Sequence, residues 1–242
     1  ADPTPQALDP QYEERVAGFK VDCDGGNAMA CHQLAEFSSV VMSDFTKSFK
    51  LYLSSCYMES SSSLPFSKVS KQQGIVKTSD GKGLFYPPSC FNVARQYLAG
   101  KGTEQSDGEA FKALIRACKD GNHAGACHHL GTMLLSHDAD DDNSVPYDGV
   151  RGIKALGKAC DEGDGVSCHL AGSVLLDETG RYKDVRKEWK GRNVKESEKM
   201  LVRGCDGGMA KSCYNLAVLY KRTNDLTNFK KYKEITEGMV KR

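Results

Sequence analysis

Residues 153–172 read IKALGKACDEGDGVSCHLAG, and this stretch decides the fold. Ile153 and Leu156 stand seven and four positions before Cys160, the spacing of one stripe on a helix that ends near that cysteine. Three residues past Cys160 comes Gly163, where a helix C-cap needs a positive φ that glycine adopts without steric cost. Cys168 then opens a second apolar stripe, with Ala171, Gly172 and Leu175 at offsets of three, four and seven. The stretch predicts a helix, a tight turn and an antiparallel helix.

The same unit occurs five times, each copy with one cysteine pair: Cys23/Cys31, Cys56/Cys90, Cys118/Cys127, Cys160/Cys168 and Cys205/Cys213. Four pairs have seven or eight residues between the partners; Cys56 and Cys90 are parted by a polar, Ser-rich insertion, Tyr57 to Ser89. Upstream apolar positions repeat as Val16 and Phe19, Phe49 and Tyr52, Phe111 and Leu114, whereas the last copy has Glu198 and Leu201. The turn glycine repeats as Gly26, Gly121 and Gly208. Four residues past each second cysteine stands Ala35, Ala94, Gly131, Gly172 or Ala217, always small enough to let two helices approach closely.

A cysteine in the last turn of one helix and another in the first turn of the next lie side by side across such a turn. Bridging asks for Cα atoms only about 5.5 Å apart, so the geometry suits a disulfide. A closed loop of this size contributes roughly 2.5 kcal/mol on the chain-entropy estimate, and five together rival the net stability of a domain. Zinc is the first alternative, because His32, His128 and His169 follow three of the second cysteines. The same position holds Phe91 and Tyr214 in the other units, so it asks for an aromatic ring and not a ligand. Structural zinc also favours closer cysteines, and C-x-x-C redox spacing is missing.

The pattern C-[DK]-x-G-x(4,5)-C-[HFY]-x-[LVA]-[AG] resembles the Sel1-like repeat in its cysteine-paired form. That form is found in cysteine-rich secreted proteins of Helicobacter and, as the nearer likeness, in the cytochrome c oxidase assembly factor 7 family. The resemblance covers residues 11 to 226. The expected fold is all-α, an α/α solenoid of five disulfide-linked helical hairpins with a C-terminal capping helix. Its expected parts are an extended arm over 1–10, repeats at 11–45, 46–105, 106–148, 149–193 and 194–226, and a cap at 227–242. The cap is read from Phe229, Tyr232, Ile235 and Met239 at helical spacing.

A net charge of +1 from 33 basic and 32 acidic residues points to neither nucleic acid nor an anionic membrane surface. No apolar run approaches the roughly 20 residues of a spanning helix, so a soluble protein is expected, at most peripheral to a membrane complex. The chain starts at Ala1, a processed or cut N-terminus with no leader to read. Five disulfides call for an oxidising compartment. None of the eight asparagines heads an N-x-[ST] acceptor, and a Ser-rich insertion and extended arm look eukaryotic. The mitochondrial intermembrane space is therefore favoured over a secreted or periplasmic location.

Three segments interrupt the repeat. The 57–89 insertion reads as a surface loop or a partner-binding arm. Asp138, Asp140, Asp141 and Asp142 resemble a calcium loop, but Asn143 and Gly149 replace its turn glycine and closing glutamate, so a solvated inter-unit loop is expected. Asp177 to Asn193 mixes Arg181, Lys183, Arg186, Lys187 and Lys190 with Trp189, read as an extended helix with a solvated face or a basic contact patch.

The histidines are scattered, and no nucleophile–base pair, phosphate loop or carboxylate dyad is visible. The expected function is a non-catalytic scaffold without cofactor or metal. What the resemblance implies is service to a mitochondrial respiratory complex, cytochrome c oxidase foremost, as assembly factor or bound subunit. A thiol–disulfide or haem-binding redox helper, with Cys56/Cys90 as its candidate pair, and a secreted or periplasmic repeat protein are the alternatives.

Overall fold

The structure is a computed structural model that describes residues 10–57, 74–77, 84–136 and 145–241. Twelve α-helices account for most of these residues. The chain gathers into two compact units, Ala1–Gly121 and Asn122–Arg242, each described here by itself.

In the first unit, α1 (Pro10–Asp24) and α2 (Ala28–Val40) form a hairpin, followed by α3 (Phe45–Cys56) and α4 (Pro87–Ala99). Helix α5 (Asp107–Ile115) runs on into a π-helical turn, Arg116–Asp120. Helix α1 begins on Pro10, inside the expected arm, because proline's fixed φ suits a first helical turn. The rest of the arm, 1–9, lies outside the described residues. The hairpin turn is set by Gly26 at φ 88° and by Asn27, whose side chain accepts from the Ala30 N–H at 3.1 Å.

The insertion is not a polar loop throughout. Strands β1 (Val76–Lys77) and β2 (Leu84–Phe85) pair antiparallel, with Val76 opposite Phe85. Phe85 is fully buried, and the Arg116 guanidinium lies 5.0 Å from its ring centre and 4.9 Å from that of Tyr57. An apolar pair at the end of the insertion thus joins the core of the first unit.

The second unit holds α6 (Ala124–Leu135), α7 (Gly149–Asp161), α8 (Gly165–Leu175), α9 (Lys183–Glu188), α10 (Asn193–Asp206), α11 (Ala210–Arg222) and α12 (Leu226–Val240). One cluster joins Leu135, Ile153, Leu156, Leu175 and Val185, with Trp189 packed on it; a second joins Leu201, Leu216, Tyr220 and Tyr232. Phe229, Ile235 and Met239 of α12 cover that second cluster.

Two local expectations need correcting. Residues 177–193 do not form an extended helix: before α10 opens at Asn193 only Lys183–Glu188 is helical, between Gly180 at φ 86° and Gly191 at φ 77°. Gly121 does not take the left-handed turn position. Its φ is −102°, and Asn122 takes the positive φ of 47° instead. The third cysteine pair spans one residue more than its neighbours, and a π turn is how a helix absorbs an extra residue.

Candidate functional site

The cysteines sit where helices turn. Cα separations are 4.6 Å for Cys23–Cys31, 4.7 Å for Cys56–Cys90, 4.6 Å for Cys160–Cys168 and 4.8 Å for Cys205–Cys213. Cys118 and Cys127 are also disulfide-bonded, so no free thiol remains among the described residues. The 57–89 insertion leaves its pair in the same geometry as the tight turns. Cys56 and Cys90 are both fully buried, out of reach of an attacking thiolate, whereas Cys23 is partly exposed.

The small residue four past each second cysteine sets the joint between successive hairpins. A Cβ on Gly131 would come within 2.6 Å of Leu156 Cγ, and one on Gly172 within 2.7 Å of Leu201 Cγ. Each of those leucines stands four positions before the next hairpin's first cysteine. The facing position, eight before that cysteine, is small as well: Ser48, Ala110, Gly152 and Ser197. Ser197 Oγ donates to the Gly172 carbonyl at 2.7 Å. Sequence reasoning missed this position, although its small-residue repeat was there to be counted.

The histidines after the second cysteines are more than aromatic fillers. His32 Nδ1 lies 2.9 Å from Ser89 Oγ and His128 Nδ1 lies 2.8 Å from Ser167 Oγ, each serine immediately preceding a later second cysteine. Ser89 donates onward to Ser55 Oγ at 2.7 Å, and Ser55 to the Ala28 carbonyl at 2.7 Å. His169 and Ser212 repeat the residue pair without the bond; His169 Nδ1 and Ser212 Oγ are buried and unpartnered. Burial holds the His32 pKa below the usual imidazole value, with Glu36 at 3.4 Å working against it. Burial also lowers that of His169, and the Lys211 charge adds to the effect.

A serine, a histidine and an aspartate do converge at Ser167, His128 and Asp164. Both oxygens meet the same ring nitrogen, Asp164 Oδ2 at 3.2 Å, and Ser167 Oγ itself bonds Asp164. A catalytic relay needs the base to touch nucleophile and orienting acid through different nitrogens. With Ser167 fully buried, this cluster anchors the α8 N-terminus, where Asp164 also accepts the Ser167 backbone N–H at 3.1 Å. Among the described residues, no three His, Cys, Asp or Glu side chains are arranged to hold a metal. The acidic run Asp138–Asp142 lies outside the described residues.

Open apolar surface lines one groove on the first hairpin and another in the second unit. Tyr12, Val16 and Phe19 of α1 face Phe37, Val40 and Val41 across a groove of about 420 Å³. Val40 is 79% exposed and Met42 59%. In the second unit a groove of about 420 Å³ is lined by His169, Lys211, Tyr214, Asn215, Thr236 and Val240. No helix among the described residues is long and apolar enough to cross a membrane.

No family model matches the chain. Over 137 residues it is 29% identical to cytochrome c oxidase assembly factor 7 of Xenopus tropicalis, a match covering 55% of this chain and 54% of that protein. The chain therefore spans about half the length of the curated relative it matches. A protective antigen of uropathogenic Escherichia coli strains with an SLR fold superposes at a TM-score of 0.59 and 13% identity, over 92% of this chain and 40% of the antigen. A Sel1 repeat protein from Oxalobacter formigenes superposes at 0.57 and 17% identity, over 92% and 55%. The chain is all-α, has the fold of Sel1-repeat proteins, and carries a cysteine-paired sequence similar to a cytochrome c oxidase assembly factor.

Proposed function

We propose that this chain is a non-catalytic protein-interaction scaffold of the mitochondrial intermembrane space, serving a respiratory complex, cytochrome c oxidase first, as assembly factor or bound subunit. The observation that carries the reading is the open apolar surface of the first hairpin, where Tyr12, Val40 and Val41 line one groove and are 37%, 79% and 44% exposed. Clustered exposure of this kind marks a surface meant for a partner. Buried cysteines and serine-bonded histidines are consistent with it, because they are spent on joining helices and leave the outward faces to vary.

The likeness to an oxidase assembly factor favours oxidase subunits as the partners. In this reading all ten cysteines, Cys23, Cys31, Cys56, Cys90, Cys118, Cys127, Cys160, Cys168, Cys205 and Cys213, stay oxidised in the working protein, as an oxidising compartment allows. Affinity capture with crosslinking from intact mitochondria, followed by native gels, tests it. Oxidase subunits crosslinked to the first hairpin and comigration with a respiratory complex are expected. Absence of the protein from mitochondria, or failure to comigrate at any stage of assembly, would refute the reading.

A further inference from the structure

The link between α8 and α10, residues 176–192, carries an added helix, whereas the link between α11 and α12 is residues 223–225 alone. It also begins a concentration of charge that the net +1 of the whole chain conceals. Residues 181–203 contain nine Lys or Arg and four Asp or Glu. Lys183, Arg186 and Lys187 share one stripe of α9, Lys190 follows in the turn, and Lys195 and Lys199 are one helical turn apart on α10. All six are exposed.

Three of the four acids of the same stretch are engaged elsewhere. Tyr147 Oη donates to Asp184 at 2.6 Å, Tyr220 Oη donates to Glu198 at 2.6 Å, and Glu188 lies 3.9 Å from Lys154 Nζ. Burial first, and then these carboxylates, raise the pKa of both tyrosine hydroxyls, which remain donors at any physiological pH. Arg203 is paired with Asp161 and Arg181 stacks over Tyr182, but none of the six stripe cations forms an ion pair among the described residues. Asp184, Glu196 and Glu198 are half-buried and Glu188 is tied to Lys154, while all six stripe cations face out.

We propose that this α9–α10 face docks an acidic segment of a partner protein, an inference that deepens the scaffold reading and rests on it. Single-stranded nucleic acid would want exposed aromatic platforms, and here Trp189 and Tyr182 are both packed against the core. A bilayer surface would want an apolar wedge among the cations, and Val194 is the single large apolar side chain exposed between residues 181 and 203. Charge complementarity at such a rim would act mainly on association rate and on choice of partner.

The test uses the full chain, with K187E/K190E/K195E/K199E as charge reversal, the same four positions changed to Gln as a gentler variant, and K47E/K50E on α3 as control. Probes are poly-L-glutamate, phosphatidylcholine vesicles containing phosphatidylserine, and polyuridylate. Wild type should prefer poly-L-glutamate, the reversal variant should bind it about tenfold more weakly at low salt, and the difference should fade above about 0.5 M salt. The Gln variant should fall between, and the control should match wild type. Equal binding by wild type and the folded variants, or preference for vesicles or RNA, would overturn the assignment. If respiratory subunits crosslink equally to wild type and reversal variant, this inference fails and the scaffold reading stands. If wild type captures none, the scaffold reading falls first.

Discussion

The first and last described helices are each 15 residues long with apolar residues at helical spacing, yet they end up differently. Helix α1 buries none of its residues, and Tyr12, Val16 and Phe19 line an open groove. Helix α12 buries Tyr232, which stacks on Tyr220 with ring centres 5.5 Å apart, and lays Phe229, Ile235 and Met239 on the same cluster. Spacing specified a helix in both places. Burial depended on how many neighbours each was given: α1 has α2, while α12 meets a cluster built by α10 and α11.

The sharpest way to break this comparison is to truncate both stripes. Tyr232→Ala should destabilise the second unit by about 3–5 kcal/mol, whereas Phe19→Ala, at a half-exposed site, should cost about 1 kcal/mol or less. Chemical denaturation followed by fluorescence and circular dichroism reads both, and equal losses would show that α1 is covered after all. Next come the crosslinks. Replacing both Cys56 and Cys90 by Ala should cost about 3.8 kcal/mol, against about 2.6 kcal/mol for Cys160 and Cys168, because the first bridge closes the longer loop. Under graded reductant without denaturant, alkylation mapping should find Cys23–Cys31 opening first, since Cys23 is partly exposed and the other nine cysteines are at most 3% exposed.

Glycines give a smaller contrast of opposite sign. Gly172→Ala forces a Cβ against Leu201 and should cost about 1–3 kcal/mol. Gly18→Ala, in α1 with nothing within 4 Å, should stabilise by about 0.5–1 kcal/mol through helix propensity. Thermal melts of the two variants should move in opposite directions. The smallest effect concerns pH. Burial keeps His32 neutral in the folded chain, while unfolded it takes a proton near 6.5. Stability is therefore intact above that value and is lost as pH falls below it, toward the lower folded pKa. His32→Phe should flatten this part of the stability profile, and an unchanged acid slope would reject His32 as its source.

The hairpins were legible because each rests on repeated local signals: the cysteine pair and the small residue in all five copies, the turn glycine and the full apolar offsets in four. Gly121 misled because the extra residue before Cys127 was absorbed as a π turn, which no local propensity announces. Trp189 was placed on a solvated helix because its surroundings are basic, yet Leu175 and Val185 give it a core to pack on. The histidine position was recognisable as aromatic, but its serine partners stand as far as 57 residues away and belong to another hairpin.

The sequence by itself determined that helical hairpins recur around the cysteine pairs and that a small residue follows each second cysteine where two helices meet. Those are consequences of backbone geometry and short spacing, and they repeat. Only the tertiary structure decided that Asp184 would be taken by Tyr147 and Glu198 by Tyr220, leaving a basic face on a chain of near-zero net charge. Those bonds join residues 37 and 22 positions apart. Whether a charge faces inward or outward depends on packing between elements, which composition and periodicity do not encode.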